Sequence, residues 1–431
     1  MIRALALGTL LALPAAAHPL DRFVAASEGA EVVVLIPRLA HITEPLAATL
    51  RRMRQVPALK GALGSEEAVP WGLLDPDFQR KNGIDPQGSF AYAKVAAGPV
   101  LRLPVTGPDV VEGLLTTLGR TLTPRADGWQ TEEGVALYRE GGILGAANDA
   151  ILQPFLPGAP DKAPPDKAPL AHCPRGPGEA DLYVWAKAGT GRGCVTVQVD
   201  AHRLRIEALA EGLPERWFGD GDGALLARVG AESNAVLGLH LAPAALVNVA
   251  RDVRLHPIAL ALDGRVALGA GPTPGTATLA FGVADEAAAR AALTTHAAAM
   301  GLVPDGQDTW RLPKPLQINE MLTLEALHLG LRSRALIVTT HRPQLEAAPA
   351  LPSLVAGIER PVVVVANRTG GRPHDGRSVV DALTPVVGSG IDGMRPWIHA
   401  AAWIGGQLGA WHVAVTRAGS KARLVAEVEL L

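Results

Sequence analysis

Only two cysteines occur in 431 residues. That is too few for a disulfide framework, and with no His or Cys at ligand spacing beside either one it gives no basis for a zinc site. Aromatic residues make up 4% of the chain and its eight Trp are scattered, which excludes a stacking platform for single-stranded nucleic acid. An excess of one charge is missing too. The 40 Lys and Arg stand against 42 Asp and Glu, so no basic stripe exists to neutralise a run of phosphates. Long apolar runs are also wanting beyond the N-terminus. Residues 398–415 come nearest to a membrane span, and His399, Gln407 and His412 interrupt them.

Catalytic motifs are equally scarce. No G-x-S-x-G elbow presents a hydrolase nucleophile. Gly388–Gly393 fits G-x-G-x-x-G in form, yet the residues before it read as helix or loop and no β-α-β unit surrounds it, so a glycine turn is preferred. Asp220 and Asp222 are spaced like the start of a calcium loop, but Ala224 stands at its fifth position and no Glu at its twelfth. A flexible linker is the better reading.

What is present is a chain rich in packing residues. Hydrophobic residues make up 48% of it and charged residues 19%, with 47 Gly and 35 Pro. This composition fits a globular protein with room for two domains. The N-terminus reads as an export leader over residues 1–17: Arg3, an apolar stretch Ala4–Leu13, then the small residues Ala15–Ala17. Removing it would leave His18 first and a formal charge of 39 − 42 = −3. The expected product is soluble, and periplasmic or secreted. In that oxidising setting Cys173 and Cys194 are expected to pair. Closing a loop of about 20 residues would contribute about 3 kcal/mol.

Two segments run through similar patterns, one from residue 30 to 212 and one from 232 to 431, with 213–231 as a linker around Gly219–Gly223. Each opens on a strand (Val32–Ile36; Ala235–Leu239), passes through a helical stretch and a strand pair, and meets a second helix (from Asp109; from Asp285). Each then carries a turn before Trp (Asp127-Gly128-Trp129; Asp308-Thr309-Trp310) and closes on an alternating hairpin (Val195–Ala208; Trp411–Glu429). Thr43 is expected to cap a helix Glu44–Gln55, and Asp263-Gly264 to turn a hairpin between Ile258–Leu262 and Arg265–Gly269. The fold class expected is therefore α+β: two tandem repeats, each a mainly antiparallel sheet with helices packed on one face.

The order of strand, helix, Gly83-Ile84-Asp85-Pro86 turn and strand pair, behind a leader and ending in an alternating hairpin, resembles a family of exported bacterial proteins. It is a domain-of-unknown-function family of Ala-, Arg- and Gly-rich Gram-negative proteomes. The resemblance implies an envelope location and brings no catalytic residues. The second segment has His256-Pro257-Ile258 where the first has Gly-Ile-Asp-Pro.

Among candidate sites, a mature N-terminal His18 could bind copper through its amine and imidazole, given a second His. Pro19 follows it directly and restricts its backbone. A leader that merely ends before a His explains the same residue. No other metal ligand, cofactor or catalytic residue is indicated. The function expected is that of a non-enzymatic envelope protein binding a partner protein or an apolar small molecule, with no nucleic acid and no membrane-spanning segment. A rival is a periplasmic lipid or lipoprotein carrier. The alternation of His202, Arg205 and Glu207 with Leu204, Ile206 and Ala208 predicts one wet face and disfavours that rival.

Overall fold

We describe a computed structural model of the chain over residues 19–45, 47, 76–107, 110, 113, 121–132, 134–139, 142–156, 169–175, 179–188, 191–200, 202–212, 223–240, 258, 260–271, 276–299, 301–313, 315–317, 323–324, 326–356, 358, 360–368 and 408–430. It divides into two compact units, the first reaching Gln198 and the second running from Val199 onward.

The first unit contains α1 (Pro19–Ala26), β1 (Val32–Ile36), α2 (Pro76–Lys81), β2 (Phe90–Val95), β3 (Gly98–Leu103), β4 (Leu122–Arg125), β5 (Gly128–Thr131), β6 (Ala136–Arg139), β7 (Ile143–Ala146), α3 (Asp149–Leu152), β8 (Leu182–Ala188) and β9 (Gly191–Val199). Its strands pair antiparallel in the order β4-β5-β6-β7-β3-β2-β1-β8-β9. Strand β1 is a β-branched run, and side chains that alternate across a strand send Val33 and Leu35 to one face. Register carries that face across the sheet as a buried row: Ala146, Val100, Ala93, Val33, Trp185, Cys194. Helix α1 covers it with Leu20, Phe23 and Val24, and the Phe23 ring tilts against Phe155 at 5.0 Å. Cys194 is bonded to Cys173, which joins β9 to the single turn Pro169–His172.

Local rules hold at the Gly83 turn and fail at Thr43. Gly83 adopts φ +63°, and the Asp85 carboxylate accepts the Gln87 N–H at 2.9 Å. Residues 39–45 are helical, so Thr43 lies inside the helix rather than at its start. Its hydroxyl donates to the Leu39 carbonyl at 3.0 Å.

The second unit contains β10 (Arg203–Glu211), β11 (Ala235–His240), β12 (Leu262–Ala270), β13 (Ala277–Val283), α4 (Glu286–His296), β14 (Val303–Gly306), β15 (Thr309–Arg311), the ribbon β16–β17 (Leu316–Gln317, Thr323–Leu324), β18 (His328–Arg332), β19 (Ala335–Thr339), β20 (Pro361–Asn367), β21 (Leu408–Ala418) and β22 (Lys421–Leu430). Its main ladder runs β14-β15-β18-β19-β13-β12-β11-β20-β21-β22-β10, all antiparallel. Side chains of α4, Ala289 and Leu293, cover one end of it with Leu329, Leu331 and Leu336. Asp285 caps α4 by accepting the Ala288 N–H at 2.9 Å, as its sequence predicts. Strands β18 and β19 meet through Ser333 and Arg334, both at positive φ.

The expected α+β class with two tandem repeats is corrected. Among the described residues, twenty strands form one antiparallel sheet and two more form a separate ribbon. Strand dominates, and α4 is a single 11-residue helix. Ladders succeed one another alike in the two units, a likeness of strand connectivity and not of helix-layered α+β repeats. The misreading has a visible cause at Asp263-Gly264, which sits inside one strand, β12, at a bulge between Leu262 and Val266. There the Asp263 carboxylate accepts both the Arg265 N–H and its guanidinium. An Asp-Gly pair supplies positive φ to a hairpin or to a bulge, and long-range pairing decides which. The helices expected from Glu44 and from Asp109, and the helical stretch expected after Ala235–Leu239, fall largely or wholly outside the described residues. No helix among the described residues is long and apolar enough to cross a membrane.

Candidate functional site: a charged cleft in the second unit

Following register across the second unit leads from core to charge. One row passes Ile337, Ala280, Ala267, Gly238, Val364 and Ala414, all buried, and ends at Val425 and Glu207. The neighbouring row passes Thr339, Thr278, Gly269, Val236 and Ala366, then His412, Glu427 and Arg205. The same face that is apolar at its centre is therefore ionic along β21, β22 and β10. This departs from the expected wet face at Glu207, which is 2% exposed; His202 is exposed as expected, and Arg205, Leu204, Ile206 and Ala208 are all partly buried.

Ion pairs satisfy that charge. Glu207 accepts the Arg205 Nε at 2.8 Å and the Arg423 Nη2 at 2.7 Å. The Arg205 Nη1 also reaches Glu427 at 2.8 Å, and Lys421 pairs with Glu211 at 3.0 Å. Charge-assisted bonds of this length are what a buried carboxylate requires. Beside them lies His412. Burial is the main cause that lowers its pKa below the ordinary histidine value; the Glu427 carboxylate opposes this and the Arg205 guanidinium adds to it.

At the end of this ribbon opens a cleft of about 520 Å³, lined by Asp200, His202, Arg203, Ser353, Leu354, Arg368, Ala410, Trp411, His412, Glu427, Val428 and Glu429. Its walls are pinned. Asp200 accepts the His202 N–H at 2.9 Å, Glu429 accepts the Ala410 N–H at 3.2 Å, and the Arg368 Nη2 donates to the Ser353 hydroxyl at 2.8 Å. A bulge in the β21–β22 ladder between Leu408 and Trp411 falls at this rim. A second cleft of about 300 Å³ is lined by Ser233, Thr278, His341 and Gln344 among others. There the hydroxyls of Ser233 and Thr278 and the amide of Gln344 are already bonded within the protein.

Of the residues named from sequence as candidate sites, none lines the cleft. Cys173 and Cys194 form the expected disulfide, with Cα atoms 5.0 Å apart. His18 and the leader lie outside the described residues. Among the described residues, no group of three His, Cys, Asp or Glu is placed to hold a metal ion. Arg203, Arg368, Trp411, Glu427 and Glu429 were not singled out as a site. One signal pointed to them: charges in β10 and β22 complement each other in antiparallel register, Arg203 with Glu429, Arg205 with Glu427, Glu211 with Lys421.

No protein-family model and no curated protein matches the chain. Among solved structures, one titled "Structure of crystal form IV of TP0453" aligns with 45% of this chain and 81% of that chain, at 11% identity and a TM-score of 0.26. A likeness that slight carries no argument about fold or function.

Proposed function

We propose that the protein is an exported, non-enzymatic binding protein of the cell envelope, and that the cleft of the second unit receives its ligand or partner. The observation that carries this is the pinned lining. Arg205–Glu427, Ala410–Glu429 and Arg368–Ser353 hold the walls before anything binds, and preorganisation lowers the ordering cost of association. The Cys173–Cys194 disulfide supports the extracytoplasmic setting, as does the resemblance to exported bacterial proteins. Charged and polar side chains together dominate the lining, which favours a polar ligand or protein segment over the apolar molecule expected from composition. It also speaks against a lipid carrier, whose cavity calls for apolar walls.

The test is native mass spectrometry of protein purified from its own envelope fraction without denaturant. The expected result is an oxidised protein carrying a bound mass that Trp411→Ala releases. A protein found in the cytoplasm with both thiols reduced, or a bound mass indifferent to Trp411, overturns the reading. A lipid as the bound species would favour the carrier.

A further inference from the structure

Three cross-strand pairs of opposite charge line up between β10 and β22. Two are closed: Arg205 with Glu427 and Lys421 with Glu211. The third, Arg203 opposite Glu429, forms no ion pair, and it is the one whose residues both line the cleft. Glu429 turns instead to the Ala410 N–H. The same asymmetry holds throughout the cleft. All three carboxylates are engaged by donors of the protein: Asp200 by a backbone N–H, Glu429 by another, Glu427 by Arg205. The cations are not so engaged. Arg203 and the His202 ring have no side-chain partner among the described residues, and the Arg368 guanidinium meets only the Ser353 hydroxyl. Opposite-charge residues in register normally pair, so an open pair at a pinned cleft leaves donor capacity for an incoming acceptor. Trp411 and Leu354 add apolar surface in the same lining.

We propose that the cleft binds a small organic anion, a carboxylate or phosphate head met by Arg203 and Arg368 with a flat apolar body against Trp411. Arg suits either head because its planar fork donates two bonds at once. This inference rests on the reading of the cleft as the binding site and adds the sign and shape of what enters it. Since Arg203 and His202 are exposed, attraction falls as salt rises.

The experiment uses the full oxidised protein and four probes in saturation-transfer and phosphorus NMR: benzoate, benzyl alcohol, benzylamine and inorganic phosphate. Benzoate is expected to bind best, phosphate more weakly for want of a body, and benzylamine least. Arg203→Ala and, separately, Arg368→Ala are each expected to weaken benzoate by roughly tenfold, the effect of one charge-assisted bond. Arg203→Lys is expected to restore part of it. Trp411→Ala should weaken benzoate and leave phosphate unchanged. Benzylamine binding as well as benzoate overturns the anion inference while leaving the cleft as a site. Failure of all four probes, or benzoate binding untouched in both Arg variants, overturns the inference; the first of these removes the cleft reading with it. Preference for phosphate over benzoate would identify a phosphate head as the natural source, and the reverse a carboxylate.

Discussion

Glu207 is an acid that strand alternation would put in water, and it is 2% exposed. Its two oxygens are bound by Arg205 and Arg423, which stay partly in contact with solvent. Removing the carboxylate leaves those guanidinium groups able to rehydrate, so the loss is smaller than for a fully buried pair. Glu207→Ala is expected to destabilise the second unit by about 2 kcal/mol, read as a lowered urea midpoint. His412 makes a different prediction. Its pKa is depressed in the folded state, while the unfolded side chain titrates near about 6.5. Below that value the unfolded chain holds more protons, so the contribution is complete above it and is lost as pH falls through it. The thermal midpoint should therefore decline more steeply from pH 7 toward pH 5 in the wild type than in His412→Gln. Parallel curves would show that His412 carries none of the dependence.

At the scale of elements, what was legible depended on how far a residue's partner lies along the chain. Asp285 caps a helix through the N–H of Ala288, three residues away, and a residue-by-residue reading finds it. The β18–β19 hairpin is likewise closed locally, by Ser333 and Arg334, its immediate neighbours. Thr43 offered the same hydroxyl as a cap and instead bonds back to Leu39, because the helix already runs over residues 39–45. Asp263-Gly264 was misread because β11 and β13, on either side of β12, decide whether the chain reverses there. That bulge can be tested. Gly264 stands at φ +91°, where a side chain costs about 1–2 kcal/mol. Gly264→Ala should show that loss in denaturant unfolding, and more rapid hydrogen exchange along β12; an unchanged midpoint would mean the bulge relaxes freely.

For the molecule as a whole, the disulfide is the one covalent tie, and it belongs to the first unit. Its cysteines are separated by 21 positions, and opening a loop of that size costs about 3 kcal/mol. Reduction should lower the unfolding midpoint of the first unit, followed by hydrogen exchange at β8 and β9, and leave that of β21 and β22 in place. Equal loss in both units would refute independent stabilities. The cysteine pair was legible because a chain with two cysteines offers each of them one partner. The cleft was not, because its lining is gathered from five stretches between Asp200 and Glu429, and only register brings them together. That distance also sets an order of events in biosynthesis. The bond from Arg423 to Glu207 spans 216 residues, so β10 is made long before β22. At about 5–20 residues per second, synthesis of β22 follows that of β10 by roughly ten seconds or more. Arg205 and Glu207, inward-pointing charges on a strand without that neighbour, would discourage another copy from pairing there first. Arg205, which pins one wall of the cleft through Glu427, would thus serve earlier as protection for an open edge.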